Sequence, residues 1–270
     1  FDFSSPDLVI KKILRSSISD LICKGVKPKF YFISGSGNKK TFTKKNLLRI
    51  SKSLVSEQNK FDISLSGGDT TFSNKLSFTI TSIGYSNKII FRNNAKSNDD
   101  IYVTGNLGDS YLGFKILSKK FKVNKKDKTF FIQKYYKPDI QIKLAKYLLR
   151  FANTSIDISD GLIDDLTKMI NKQNLSYYLF GKLIPISKNL NKFIKDRKLN
   201  KMDFISNGDD YQVLFTADIN KARIIQKIAK TLRIKITKIG KIISGRNKSL
   251  IFDEKNKQIQ AKYKGYIHQF

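Results

Sequence analysis

The chain has 270 residues, and 52 Lys and Arg against 22 Asp and Glu give it a net charge of +30. Its 40% hydrophobic content is enough for a real core, in one large domain or two ordinary ones, and excludes a disordered chain. One cysteine, Cys23, and one histidine, His268, exclude a disulfide framework, a zinc site built on these residue types and a His-based or Cys-based nucleophilic pair.

Ser4-Ser5-Pro6-Asp7 reads as a helix start, with hydroxyl caps, a proline in the first turn and an acid at the positive end. Val9, Ile10, Ile13, Leu14, Ile18, Leu21 and Ile22 follow at helical spacing, and Gly25 and Pro28 stop the helix. Cys23 falls on its apolar face as a small core residue. Asp20 is either an exposed helix acid or a metal ligand projecting from the helix.

Residues 30–34 are expected as a strand, 35–40 as a loop, 41–59 as a second helix and 61–65 as a strand. That strand is expected to deliver the turn Ser66-Gly67-Gly68-Asp69-Thr70-Thr71. Two glycines let backbone N–H groups approach a ligand closely, and a carboxylate beside them suits a hard cation on phosphate oxygens. The same residues also make a good plain turn. Residues 76–85 alternate as a strand, with 88–91 expected as its partner. The polar stretch 93–99 is placed as a domain boundary, giving a first domain over 1–97 and a second over 98–270.

Residues 101–104 form a short strand entering Gly105-Asn106-Leu107-Gly108-Asp109-Ser110, with a helix over about 111–119. This order offers a helix N-terminus to phosphate, or is simply a tight connection; the ending of a Walker A loop is missing. A lysine-rich surface segment (119–128) and two helices (129–136, 138–151) precede Ser155-Ile156-Asp157-Ile158-Ser159-Asp160-Gly161 and a helix over 162–172. Asp157, Asp160, Asp164 and Asp165 fall within nine residues and repel one another unless cations or dipoles offset them. A divalent-metal site is favoured there over a solvated acidic face.

A strand (175–180), a helix (186–194) and a further acidic turn, Asn207-Gly208-Asp209-Asp210-Tyr211, lead to a strand over 212–216. A helix (217–232) and strands over 234–243 and 249–252 close the chain. Acids in so basic a chain are thus gathered in Gly-rich turns, which points to a nucleotide held through Mg²⁺ rather than by a lysine loop. The positive charge alone would suggest nucleic acid. That partner is disfavoured, because Lys far outnumbers Arg, is scattered among abundant Asn and Ile as coding bias produces, and forms no Arg-rich stripe. No apolar run reaches the roughly eighteen residues of a membrane span and no signal peptide is visible, so no membrane association and a cytoplasmic setting are expected.

Ser66-Gly-Gly-Asp-Thr-Thr71, Ile101-Tyr-Val-Thr-Gly-x-Leu-Gly-Asp-Ser110, Ile156-Asp-Ile-Ser-Asp-Gly-Leu162 and Gly208-Asp-Asp-Tyr211 stand in the order and spacing of the thiamine-monophosphate kinases. Ser19-Asp20 with Gly25-Val-Lys-Pro28, and Lys264-Gly-Tyr266 near the end, are similar to two further segments of that family. The resemblance runs over essentially the whole chain. Aminoimidazole ribonucleotide synthetase, selenophosphate synthetase and a hydrogenase maturation factor share the acidic-turn plan without this set of motifs.

The resemblance implies a two-domain α/β (α+β) fold of the aminoimidazole ribonucleotide synthetase type, with a β-rich first domain that pairs in a homodimer and a second αβ domain. It implies direct transfer of the γ-phosphoryl group of ATP to thiamine monophosphate. By the same resemblance Asp20, Asp69, Asp157 and Asp160 are Mg²⁺ ligands. Gly68, Asp69, Arg92 and Ser159 contact ATP, and Asp209 and Tyr266 contact thiamine monophosphate. Read without the family, Arg92 is a surface strand-end residue. The family's N-terminal Gly-Asp-Asp, Thr-Asp and Gly-Val-His-Phe segments have no counterpart, so Phe1 is expected to follow the last of them, with roughly the first fifty residues of the pattern lying upstream. Asp209 stands where the family has Glu, and Tyr263 where it has Trp. The rival readings are a related enzyme with another acceptor, a basic nucleic-acid-binding protein and a non-catalytic fragment.

Overall fold

The structure, a computed structural model, describes residues 4–260 together with 265 and 266. Tyr263, Lys264 and His268 lie outside the described residues. Helix α1 (Pro6–Cys23) starts on a proline with Asp7 in its first turn and ends where Gly25 takes a φ of +78°. Strand β1 (Pro28–Gly37) follows, then α2 (Lys44–Phe61), whose cap Thr43 accepts a hydrogen bond from Asn46 N. Strands β2 (Ser64–Phe72) and β3 (Ser77–Gly84) complete a three-stranded sheet in the order β2-β1-β3, with β1 parallel to β2 and antiparallel to β3.

The second sheet begins with β4 (Asp100–Thr104) and leads to α3 (Asp109–Leu117), α4 (Lys125–Tyr136) and α5 (Ile142–Leu148). Next come β5 (Ala152–Asp157), α6 (Leu162–Ile170), β6 (Leu175–Phe180), α7 (Lys188–Asp196) and the short α8 (Met202–Ile205). Strand β7 (Val213–Ala217), α9 (Ala222–Leu232), β8 (Ile236–Ser244), β9 (Leu250–Phe252) and β10 (Gln258–Ile259) follow. Seven strands pair in the order β10-β9-β6-β8-β4-β7-β5. β4 lies at the interior of this sheet, buried along its whole length and antiparallel to both neighbours. The fold is mixed α/β, as expected, and among the described residues no helix is long and apolar enough to cross a membrane.

Three local expectations are corrected. Strand β1 runs on through Gly35 and Gly37, where a loop was expected. Gly67, Gly68 and Asp69 lie inside β2 and make no turn, because the helix before them extends to Phe61 and the chain reverses at Asp62, in the left-handed region at φ +54°. Among the described residues, 88–91 pair with no strand, and Ile90 N donates instead to Lys24 O at the end of α1.

Helix α1 joins the two sheets. One apolar cluster runs from Ile10, Leu14, Ile18 and Ile22 on α1 to Tyr31 on β1 and on to Phe215 on β7. On the side facing α2, Arg15 is clamped by Glu57, with Nε 2.6 Å from Oε2 and Nη2 2.9 Å from Oε1. Its Nη1 donates to Pro138 O at 3.0 Å. Both residues are buried, so the pair is a fixed fork joining α1, α2 and the segment ahead of α5.

Candidate active site

Asp157 is the last residue of β5 and is 4% exposed. Ser19 Oγ, on α1, donates to Asp157 Oδ2 at 2.8 Å. Asp20, the next residue of α1, sets its carboxyl against the same group. Burial first, and then the Asp20 charge, push the Asp157 carboxyl up to about 7, against the Ser19 hydrogen bond. Asp20 is itself raised by partial burial, while Lys24, its hydrogen bond with Asp157 and Arg92 pull it back. Among the described residues no salt bridge reaches Asp157. A buried carboxyl, Asp157, and an exposed one, Asp20, crowded together form an all-oxygen donor set that suits a hard divalent cation. They open into a cleft of about 490 Å³ lined by Ser16, Asp20, Thr79, Asp157, Ser159 and Tyr211. A larger cavity of about 740 Å³, between α6 and the β6–β9–β10 edge, contains neither Asp20 nor Asp157.

The acidic segments after β5 and before β7 lie against each other. Ile158 N donates to Gln212 O at 2.9 Å, Tyr211 N to Ile158 O at 2.8 Å and Asp209 N to Ser159 O at 2.9 Å, so the β5–β7 ladder continues beyond both strands. The fit requires glycine at Gly208, where φ is +72° and a Cβ would lie 2.1 Å from Ser159 O. Asp209 and Tyr211 also take positive φ, at +65° and +51°, a costly conformation for residues with side chains. Ser159 is therefore brought to Asp209 by backbone pairing.

Asp209 Oδ1 lies 2.8 Å from Lys12 Nζ of α1 and accepts from Tyr211 Oη at 3.1 Å. Lys12 is buried, and its ammonium sits 4.5 Å from the ring centroid of Tyr135 and 4.8 Å from that of Tyr211. Burial pulls its pKa down while Asp209 pulls it up.

Asp160 stands apart from the Asp20–Asp157 pair. Its Oδ2 takes Lys168 Nζ at 2.7 Å, and the same ammonium lies 2.6 Å from Asp164 Oδ2. Asp165 Oδ2 accepts from Asp160 N at 2.9 Å and Gly161 N at 3.0 Å, and burial still pushes it up to about 7. Carboxyl oxygens of Asp160, Asp164 and Asp165 lie within 4.8 Å of one another. The acids expected to share one site thus divide: Asp157 turns to Asp20, a lysine offsets Asp160 and Asp164, and backbone N–H groups offset Asp165. Asp160 O accepts from Tyr266 N at 2.9 Å, which brings the exposed Tyr266 to the same loop.

Gly68 and Asp69 are elsewhere. Asp69 is exposed on β2, in register with Ser34 of β1, which pairs in turn with Thr79 of β3. Thr79 lines the cleft, so Asp69 is two strand spacings away, about 10 Å. Gly68 has a packing reason to be glycine, because a Cβ there would lie 1.9 Å from Ile33 O. Arg92 is exposed, and its charge acts on Asp20 at the cleft mouth.

Lys12 and Tyr211 as a pair, and Ser19 as a donor, are absent from the sequence-level site. Lys12 precedes Ser16, Ser19 and Asp20 by four, seven and eight residues, the spacing of one helix face, and this signal could have found it. Tyr135 carries no such signal, because α4 meets α1 only in the fold.

Residues 1–86 match the family model described as AIR synthase related protein, N-terminal domain. The chain is 36% identical over 266 residues to the thiamine-monophosphate kinase of Buchnera aphidicola subsp. Schizaphis graminum, covering 97% of this chain and 80% of that one. It is 34% identical over 242 residues to the thiamine-monophosphate kinase of Haemophilus influenzae, covering 88% and 72%. The solved structure of AaThiL complexed with AMPPCP and TMP superposes with a TM-score of 0.84 at 23% identity, over 97% of this chain and 81% of that one, and so shares its fold.

Proposed function

The chain belongs to the thiamine-monophosphate kinase family, and from that premise we propose how its residues divide the work. It is a thiamine-phosphate kinase, phosphorylating thiamine monophosphate to thiamine diphosphate at the expense of ATP. The attacking atom is a phosphate oxygen of the acceptor, already anionic, so no side-chain nucleophile is required. What the protein must supply is alignment of two anionic groups and offset of their charge.

Asp20, Asp157 and Asp160 would hold Mg²⁺, with Lys168 offsetting the charge of Asp160 in its absence. The bound cation supplies charge neutralisation on the phosphate oxygens. Ser159, two residues from Asp157 and bonded through its carbonyl to Asp209 N, contacts ATP in this reading. Arg92, whose charge reaches Asp20, contacts ATP phosphate with a planar guanidinium. Asp209 and Tyr266 take thiamine monophosphate, brought to one loop pair by the Asp209–Ser159 and Tyr266–Asp160 backbone bonds. The observation that carries this division is the crowding of Asp20 and Asp157, with no ammonium closing on Asp157 among the described residues.

The first 97 residues act as the dimerisation domain and the rest as the αβ domain. Phe32, Leu65 and Phe72 of the three-stranded sheet are exposed, and β2 is its edge strand, a surface suited to a second copy. Asp69 and Gly68 lie on that same edge, so their contact with ATP and Mg²⁺ is made in the dimer. Sedimentation giving a monomer at micromolar concentration would remove the dimer from this reading. A cytoplasmic setting accords with the single free thiol, Cys23, which is buried.

The test is turnover. Purified full-length protein incubated with thiamine monophosphate, ATP and Mg²⁺ forms thiamine diphosphate and ADP in equal amounts. No diphosphate, with phosphorylation of a different acceptor, would overturn the assignment.

A further inference from the structure

Lys12 is buried in α1, and nothing in the phosphoryl-transfer scheme above uses it. Its surroundings are unusual for a lysine in a chain with so many solvated ones. The ammonium is enclosed by the rings of Tyr135 and Tyr211, 4.5 and 4.8 Å from their centroids, and among the described residues its one ion pair is to Asp209 at 2.8 Å. A buried lysine is costly unless its charge is matched. Here the match is a carboxylate that is itself one-third exposed, at 35% of its side chain. A purely structural pair would bury both partners, as Arg15 and Glu57 do. In the Lys12 pair the cation is fixed in the interior and the anion is presented outward.

The two contacts on Asp209 also fall on a single atom. Lys12 Nζ and Tyr211 Oη both meet Oδ1. Among the described residues no hydrogen bond reaches Oδ2. Asp209 sits in the left-handed region, next to a residue that does the same. Left to itself such a short, strained loop would let the carboxylate swing. Lys12 reaches it from α1, the helix that also carries Ser19 and Asp20. The acceptor loop and the Asp20–Asp157 pair are thus referred to one rigid element.

We propose that Lys12 is a positioning residue for the acceptor: it holds Asp209 through Oδ1 so that Oδ2 remains aimed outward to accept a hydrogen bond from thiamine monophosphate. The inference rests on the acceptor role of Asp209 proposed above. The acceptor's one exocyclic amine supplies the N–H donor such an oxygen needs. Tyr211 assists, with its ring against the ammonium and its hydroxyl on the same oxygen.

The experiment compares wild type, Lys12→Met, Lys12→Arg, Asp209→Asn and the Lys12→Met/Asp209→Asn double variant, each in the full-length protein. KM is measured for each substrate separately, with a melting curve for each variant. Lys12→Met is expected to raise the KM for thiamine monophosphate about tenfold while changing that for ATP less than about twofold, the scale of one lost hydrogen bond to a charged group. Lys12→Arg retains a cation and recovers most of that loss. In the Asp209→Asn background, Lys12→Met adds less than about twofold, because the group it positions is gone.

An unchanged KM for thiamine monophosphate in a folded Lys12→Met protein overturns the proposal. So does an equal rise for both substrates, or a full additional effect in the Asp209→Asn background. If Lys12→Met does not fold, Tyr211→Phe removes the other donor to Oδ1 and is expected to raise the same KM about threefold, and no rise overturns the proposal. A wild-type protein that does not phosphorylate thiamine monophosphate overturns the functional assignment and this inference together. An active wild type with an indifferent Lys12→Met overturns the inference alone.

Discussion

Ser19 Oγ donates to Asp157 Oδ2 at 2.8 Å, across 138 positions of sequence, and so fixes the end of β5 to α1. The same helix places Asp20 against that carboxyl. Asp157→Asn keeps the shape and an oxygen for Ser19 but removes the negative charge. It is expected to lower kcat by about 100-fold or more and to raise the Mg²⁺ concentration needed for half-maximal rate. A magnesium titration of the steady-state rate checks both. Equal rates in the two proteins would remove Asp157 from the site.

Gly68 separates packing from chemistry. Its missing Cβ is 1.9 Å from Ile33 O, inside the β1–β2 pairing. Gly68→Ala is expected to cost about 2 kcal/mol of stability and to expose β2 to proteolysis, whatever it does to ATP binding. Urea denaturation with limited proteolysis measures this. A variant as stable as wild type would show that β2 shifts freely past β1.

The Arg15–Glu57 fork predicts an asymmetry between single and double replacement. Arg15→Met and Glu57→Leu, each made singly, leave one buried charge without its counter-charge and are each expected to cost about 3–5 kcal/mol. Arg15→Met with Glu57→Leu removes both charges and is expected to cost much less than the sum of the two single replacements. Unfolding free energies of the four proteins close the cycle, and additive losses would contradict it.

Asp109 gives a pH dependence. Burial pushes its carboxyl up to about 6, against a hydrogen bond from Ser187 Oγ at 2.6 Å. A carboxyl raised in the folded state stabilises the fold fully below its unfolded value, near 4, and loses that contribution as pH rises through about 6. Asp109→Asn does not titrate. Its stability relative to wild type is therefore expected to improve by about 2 kcal/mol between pH 4 and pH 7. Denaturation of both proteins at the two pH values reads the difference, and a constant offset would be evidence against the shift.

The Gly-rich acidic segments were legible because each needs rare residue types at short range. Gly208 is forced by a carbonyl 2.1 Å from where its Cβ would be, and that constraint appears directly as a glycine in the chain. The helix α1, its start and its stop were equally legible, since a proline, an acid and a glycine mark its ends. The segment around Asp69 was misjudged for the opposite reason. Two glycines and an acid suit a turn locally, but pairing with β1 outweighs that preference, and the sheet keeps the segment extended.

Composition and motif order by themselves determined the family, the mixed α/β class and the set of acids that matter, because these depend on residue type and spacing along one dimension. Only the tertiary structure decided how the acids divide. It sets Asp157 against Asp20, gives Asp160 and Asp164 to Lys168 and gives Asp209 to Lys12. Which carboxylate meets which cation depends on the packing of α1 between two sheets and on the local loss of water, and neither is written in any short stretch of the chain.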